Sequence, residues 1–188
     1  EGEIIWQKTY GGSGSDYGWS LLDALDGGYI IAGEKEVAGE QGGRFAAYLL
    51  KVDPEGNKMW ENTYGDNSAS SFYGAAPAGG GYVLAGKIES AGGYDLYAVK
   101  TDQQGSAEWE TTVAGTGINS AYAAAQTRGG GLVLAGKKSI EKSAASQILM
   151  LKLKAGSKQN SGFLWSAGAA VVVFFAVLFI FRKTLTGK

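Results

Sequence analysis

The stretch that decides the fold is DGGYIIAG at residues 26–33, which returns as GGGYVLAG at 79–86 and as GGGLVLAG at 129–136. The three copies begin 53 and 50 residues apart. Similar segments at a nearly constant interval of this length indicate that one structural unit is repeated along the chain. The sequence therefore predicts three repeats.

A second marker follows the first in every copy. YLLKVDPEGNKMW at 48–60 matches YAVKTDQQGSAEW at 97–109, and the third copy keeps only LMLKLK at 149–154. Together the two markers divide the chain into repeat units of about 6–59, 60–108 and 109–154. We expect residues 1–154 to form one domain built from these units.

Within each unit, short apolar and aromatic runs alternate with glycine, aspartate or asparagine, which is typical of strands joined by hairpins. The glycine pairs before Tyr29, Tyr82 and Leu132 can supply the positive φ angles of tight turns. Residues 54–57, with the sequence PEGN, predict a further turn. In the first unit the predicted strands are 6–10, 18–25, 29–36 and 46–53. The predicted fold class is all-β, with three four-stranded repeats.

Three segments together resemble a family of secreted archaeal and bacterial repeat proteins that are predicted to be β-propellers. They are WQKTYGG at 6–12, DGGYIIAG at 26–33 and KVDPEGNKMW at 51–60, and the resemblance extends over about residues 6–154. It implies that each repeat is a propeller blade and that the domain is extracellular.

KVDPEGNKMW and KTDQQGSAEW (100–109) are also similar to the tryptophan-docking motif of quinoprotein-like propellers. Their Asp-to-Trp interval of seven residues is one shorter than that family's usual pattern. The resemblance implies that Trp60 and Trp109 pack between adjacent blades, and Trp6 occupies the same repeat position. It implies no quinone, and we predict no cofactor.

Blade number leaves the architecture open, because propellers commonly have about four to eight blades and this chain has three repeats. Residues 6–10 resemble the strand 60–64, which is the last strand of a unit. The β region ends with residues 147–153, which correspond to the third strand of a unit, so residues 6–10 could supply the missing last strand. Closure within one chain gives a three-unit ring, and closure between two chains gives six blades. A β-trefoil, which also has three four-stranded units, is the alternative fold.

Residues 163–181, FLWSAGAAVVVFFAVLFIF, predict one transmembrane helix. These nineteen residues carry no charge and precede Arg182 and Lys183. A helix of this length spans about 28 Å, close to the thickness of a hydrocarbon core. Residues 155–162 then form a linker and 182–188 a tail. SGF at 161–163 also resembles archaeal C-terminal sorting signals, which leaves removal of the span as an alternative.

The charges orient the predicted span. All 18 acidic residues precede residue 163, whereas the tail holds three basic residues. The positive-inside rule places the tail in the cytoplasm and residues 1–154 outside the cell, on a single-pass protein of the cell membrane. Small residues at helical spacing predict a face for close helix packing in the lipid bilayer, formed by Gly162, Ser166, Ala169, Ala170 and Ala176.

Composition argues against catalysis. The chain has no histidine and no cysteine, so it lacks the commonest general base, the usual transition-metal ligands and a thiol nucleophile. The acidic residues lie mostly in turns beside glycine, where carboxylates usually cap their own backbone. Residues 1–162 hold 14 basic and 18 acidic residues, a balance that does not favour nucleic acid. We predict no enzymatic activity and no metal site.

A group of aromatic residues at the starts of the first strands is the candidate interaction surface, namely Tyr17, Trp19, Phe72, Tyr73 and Tyr122. The expected function is a non-enzymatic scaffold or accessory subunit of a cell-envelope membrane complex, with a protein partner or a second copy of the chain. A surface module that binds glycan or calcium is the alternative.

Overall fold

The computed structural model describes residues 2–39, 42–140, 143 and 145–154. These residues form strands and turns without a helix, which confirms the predicted all-β class. Within them no helix is long and apolar enough to cross a membrane. The predicted linker 155–162, span 163–181 and tail 182–188 lie outside the described residues.

The strands form three antiparallel sheets that follow one another along the chain. The first sheet contains β1 (Asp16–Asp23), β2 (Tyr29–Gly39), β3 (Gly42–Val52) and β4 (Lys58–Tyr64). The second contains β5 (Ser70–Ala78), β6 (Gly81–Ser90), β7 (Gly93–Thr101) and β8 (Ala107–Val113), with the short β9 (Gly117–Ile118) parallel to β7. The third contains β10 (Ser120–Gln126), β11 (Leu132–Ser139) and β12 (Ser146–Leu153).

Apart from the short β9, neighbouring strands in each sheet are consecutive in sequence. The repeat units drawn from the sequence change at Trp60 and Trp109, within β4 and β8, whereas these strands belong to the first and second sheets. The first sheet has four strands, although β4 takes the place predicted for residues 6–10, and the second has four strands and the added β9. The third has three strands within the described part of the chain.

Glycine makes the turns between first and second strands, as predicted. Gly27 and Gly28 have φ angles of 94° and 73°, and Gly80 and Gly130 have 77° and 79°. In the first sheet the buried Lys51 reaches back to this turn, where its Nζ donates to Gly27 O at 2.7 Å and pairs with the Asp26 carboxylate. The lysine of the third strand thus ties that strand to the adjacent hairpin between the first and second strands.

The glycine that ends each AlaGly pair is explained by a β-bulge. The pairing of first and second strands slips by one residue between Gly18 and Ser20, and the same slip recurs in the other two sheets. The bulge brings a first-strand carbonyl so close that a Cβ on Gly86 would overlap Ser71 O. Gly33 and Gly136 face the corresponding carbonyls in the same way. A side chain is therefore excluded at this position in all three repeats.

The sheets pack face to face in chain order. Ala47 and Leu49 of β3 lie in one buried cluster with Phe72, Leu84 and Val99 of the second sheet. The opposite face of the second sheet supplies the next cluster, in which its apolar residues meet those of the third sheet, namely Ala85, Leu96, Ala98, Ala121, Leu132 and Leu134. The second sheet is thus covered on both faces.

In two places, a tryptophan and a tyrosine four residues apart dock on the turn between the third and fourth strands of the following sheet. A Cβ on Gly105 would lie 2.6 Å from the Trp60 ring, and the Tyr64 hydroxyl donates to Gly105 O at 2.5 Å. Trp6 and Tyr10 repeat this contact on the first sheet, where the Tyr10 hydroxyl donates to Gly56 O at 2.8 Å. Glycine at these turns leaves room for the ring.

The expectation that residues 6–10 form a strand and complete the last repeat of the same chain is wrong for this structure. These residues are not in a strand, and they lie on the 53–57 turn of the first sheet instead of beside β12. The docking of Trp6 and Tyr10 on Gly56 holds them there. The other predicted strands of the first unit are correct, with ends that differ by at most four residues.

The bulge makes a stability prediction. Gly86→Ala should lower the free energy of unfolding by about 1–3 kcal/mol, because the new methyl group must displace the β5 backbone. Gly129→Ala is the matched control, since a Cβ at Gly129 meets no atom within 4 Å. Urea unfolding followed by circular dichroism measures both. Equal stability of the two variants would contradict the account of the bulge.

Candidate binding surface

The bulges bring aromatic side chains to one place in each sheet. The residue left unpaired by the slip is Trp19 in β1, Tyr73 in β5 and Tyr122 in β10. A bulge sets two residues opposite one and re-aims the side chain of the extra residue. The three repeats therefore each present one aromatic ring from the same position of the first strand.

These rings join into a continuous line, which we call the aromatic row and define as Tyr17, Trp19, Tyr73 and Tyr122. Tyr17 stacks on Trp19 with centroids 5.8 Å apart and planes at 17°. Trp19 meets Tyr73 edge-on at 6.0 Å, and Tyr73 meets Tyr122 at 5.4 Å. Tyr17, Trp19 and Tyr122 are each about half exposed.

The row is continuous because the first strands of adjacent sheets lie close together. A Cβ on Gly74 of β5 would lie 2.5 Å from Tyr122 O of β10. Between β1 and β5, the Ala75 amide donates to the Ser20 hydroxyl at 3.2 Å. The rings thus extend over all three sheets on a rigid backbone, which limits the entropy lost when a partner binds.

One cation lies beside the row. Lys87 Nζ is 5.7 Å from the centroid of Tyr73 and 4.4 Å from that of Tyr94. Burial by itself would lower the pKa of Lys87, but interaction with the Tyr73 hydroxyl and with Tyr94 and Glu34 outweighs it, and the net pKa is raised. Lys87 is therefore a cation at neutral pH and offers one positive charge at the edge of an apolar surface.

Phe72 was expected on this surface and lies elsewhere. Its side chain is fully buried and stacks on Tyr97 with centroids 5.6 Å apart, beside Tyr64 at 5.4 Å. The reason is the bulge, which sends Phe72 into the core and its neighbour Tyr73 outward. Phe72 is therefore a core residue between the first two sheets.

The other predicted site residues fall into two groups. Trp60 packs against the cluster between the first and second sheets, Trp109 against the cluster between the second and third, and Trp6 lies on Gly56 beside Tyr29. The proposed helix face lies outside the described residues and consists of Gly162, Ser166, Ala169, Ala170 and Ala176.

Three carboxylates form hydrogen bonds or ion pairs that stabilise turns and strand contacts of the fold. Asp53 and Asp102 accept backbone amides of their own turns, at 2.6 Å from Asn57 N and 2.8 Å from Ser106 N. Glu61 accepts the Tyr48 hydroxyl and pairs with two lysines, which lowers its pKa to about 2. Within the described ranges no group of three acidic side chains could hold a metal ion.

The sequence predicted all four residues of the aromatic row as part of an interaction surface, but it did not predict that their rings form a line. The sequence does contain a signal for it, since an aromatic residue lies 13 or 14 residues before the glycine of each AlaGly pair and interrupts the alternation of apolar residues. That spacing matches a hairpin with one extra residue in its first strand.

Substitutions can separate the surface from the core. Phe72→Ala should lower the free energy of unfolding by about 3–5 kcal/mol, because it opens a cavity between two sheets. Tyr122→Ala should cost about 1 kcal/mol or less, since its ring is half exposed. Thermal unfolding of both variants measures the difference. A Tyr122→Ala variant as unstable as Phe72→Ala would show that the row serves folding.

No protein-family model matches the chain, and no curated protein matches it.

Proposed function

We propose that this chain is a non-enzymatic interaction module that a C-terminal span holds at the outer face of a cell membrane. In this proposal it acts as a scaffold or accessory subunit of a cell-envelope complex. The observation that carries the proposal is the aromatic row, a line of four rings that lies outside the buried clusters and of which three are about half exposed.

The chemistry of the row favours a protein partner. Tyrosine and tryptophan are enriched at the centres of protein interfaces, because they bury a large apolar area and keep a polar group for hydrogen bonding. Lys87 at its edge offers a place for a carboxylate of the partner. The surplus of acidic residues in 1–162 argues against an anionic nucleic acid.

A glycan is the second candidate, and the same rings favour it, since exposed aromatic faces can stack on sugars. Tyr17 and Trp19 stack on one another, so one face of each ring is not free for a sugar. Calcium is the weaker ligand, because within the described residues no group of three acidic side chains could hold it.

For the fold, we propose that the three sheets are propeller blades. Support comes from the strand order within each sheet, from the face-to-face packing in chain order, and from the adjoining first strands. The docking of Trp60 on Gly105 also agrees with the resemblance to tryptophan-docking propellers. A trefoil would instead join strands of different repeats in one barrel.

The absence of enzymatic activity remains part of the proposal. It is supported by the lack of histidine and cysteine and by the structural use of the carboxylates described above. Aspartate or glutamate would have to supply all acid–base chemistry.

The proposed topology can be tested directly, because the chain has no native cysteine. Ser106→Cys, in the exposed turn of the second sheet, should react with a membrane-impermeant maleimide in intact cells. Thr186→Cys, in the proposed cytoplasmic tail, should react only after lysis. Labelling of Thr186→Cys in intact cells, or recovery of the chain in the soluble fraction, would contradict an oriented anchor.

Binding through the row is tested by a photo-crosslinking residue introduced at Tyr122. In membranes it should capture a second, different protein, and adding Trp19→Ala should abolish the product, because a neighbouring part of the surface is lost. The same residue at Met59, an exposed methionine of β4 away from the row, is the matched control. Equal capture from both positions, or none, would count against the row, and saturable binding to a glycan array instead would favour the glycan.

A further inference from the structure

The stack of three sheets ends on an apolar face. On the outer side of the third sheet, Ala123 and Ala135 are exposed, and Ile148 and Met150 are 93% and 72% exposed. Apolar side chains of this size are normally covered in a folded protein. Within the described part of the chain, the third sheet therefore presents an uncovered face along β11 and β12.

Comparison with the first two sheets indicates what this face would contact. Met150 pairs with Ala135, as Leu49 pairs with Ala32 in the first sheet and Ala98 with Ala85 in the second. All four of those equivalents are completely buried, and Leu49, Ala85 and Ala98 lie in the clusters shared with the next sheet. Stacked repeats normally end on a polar cap, and here the last sheet keeps the pattern of an internal one. Its outer face therefore matches a following sheet.

The start of the chain is complementary. Residues 6–10, WQKTY, correspond to residues 60–64 of β4, WENTY. They dock on Gly56 as Trp60 and Tyr64 dock on Gly105. The segment thus corresponds to a fourth strand that, within the described residues, pairs with no sheet and is seated on the first sheet. In addition, Leu21 is 66% exposed beside the half-buried Ile31, although the equivalent Ala75 and Leu84 pack on the preceding sheet.

We propose that two copies of this chain associate head to tail, with residues 6–10 of each copy pairing antiparallel to β12 of the other. The register follows from β3 and β4, in which Leu49 pairs with Asn62 and Lys51 with Trp60. It sets Lys8 opposite Met150 and Trp6 opposite Lys152. The first sheet of one copy then covers the third sheet of the other.

The arrangement within one copy favours a second chain as the occupant. The first and third sheets pack on opposite faces of the second, and residues 6–10 are held on the first. Two copies give six sheets, within the range of about four to eight blades in known propellers. A closed ring also removes the exposed edge of β12, which is otherwise a hazard for aggregation. In this proposed ring the two copies are related by a two-fold rotation about the ring axis. Both chains therefore leave the ring on the same face, as two spans that enter one membrane require.

Cysteine crosslinking tests the pairing in the full chain. Lys8→Cys and Met150→Cys chains, co-expressed as separate single-cysteine variants, should form a disulfide-linked pair under oxidising conditions. Lys8→Cys co-expressed with Met59→Cys is the matched control and should not. A further variant carries both Lys8→Cys and Met150→Cys in one chain. If it forms an internal disulfide and no linked pairs, the ring closes within one chain and the proposal is overturned.

A second measurement does not depend on crosslinking. The native mass of the full chain in detergent should correspond to two copies for the wild type and for Met59→Lys, and to one copy for Ile148→Lys. The melting temperature of the individual chain should hardly change in Ile148→Lys, because Ile148 contacts little in one copy. A single-copy mass for the wild type, or a two-copy mass for Ile148→Lys, would overturn the proposal. Neither variant alters the aromatic row, so failure here is distinct from failure of partner binding there.

Discussion

The structure depends on one close backbone contact, made three times. In each sheet a bulge presses a carbonyl of the first strand against the second strand at the glycine of an AlaGly pair. Only a residue without a Cβ fits there, so the strands can bulge without losing the rest of their pairing. The bulge in turn decides which neighbouring side chain enters the core, as Phe72 does, and which one points outward, as Tyr73 does.

A second contact converts separate sheets into a stack. Trp60 and Tyr64 cross from the first sheet to the turn at Gly105, and the apolar faces behind them close over one another. The chain contains no cysteine, so disulfides add nothing to its stability. The stack is held by buried apolar area and by these docked side chains, and each sheet depends on its neighbours for part of its core.

The two proposed surfaces follow from this construction. The aromatic row arises because equal bulges in three sheets lie side by side, which places a line of rings outside the buried clusters. The self-association surface arises because, within the described residues, Ile148 and Met150 of the third sheet are exposed at positions whose equivalents in the other two sheets are buried. In our proposal the first surface selects a partner and the second completes the sheet array, beside a membrane that the C-terminal span enters.

The sequence by itself determined the all-β class, the glycine turns and all but one of the predicted strands of the first unit. These depend on local spacing, namely the glycine pairs before Tyr29 and Tyr82 and the short apolar runs that flank the turns. It also singled out four residues of the aromatic row. Only the tertiary structure decided that Phe72 is buried, that residues 6–10 dock on Gly56 instead of pairing with β12, and that the four rings form one line. These outcomes depend on a one-residue slip in strand register and on which sheet lies next to which. Both are set by contacts between residues far apart in the chain, which local patterns do not encode.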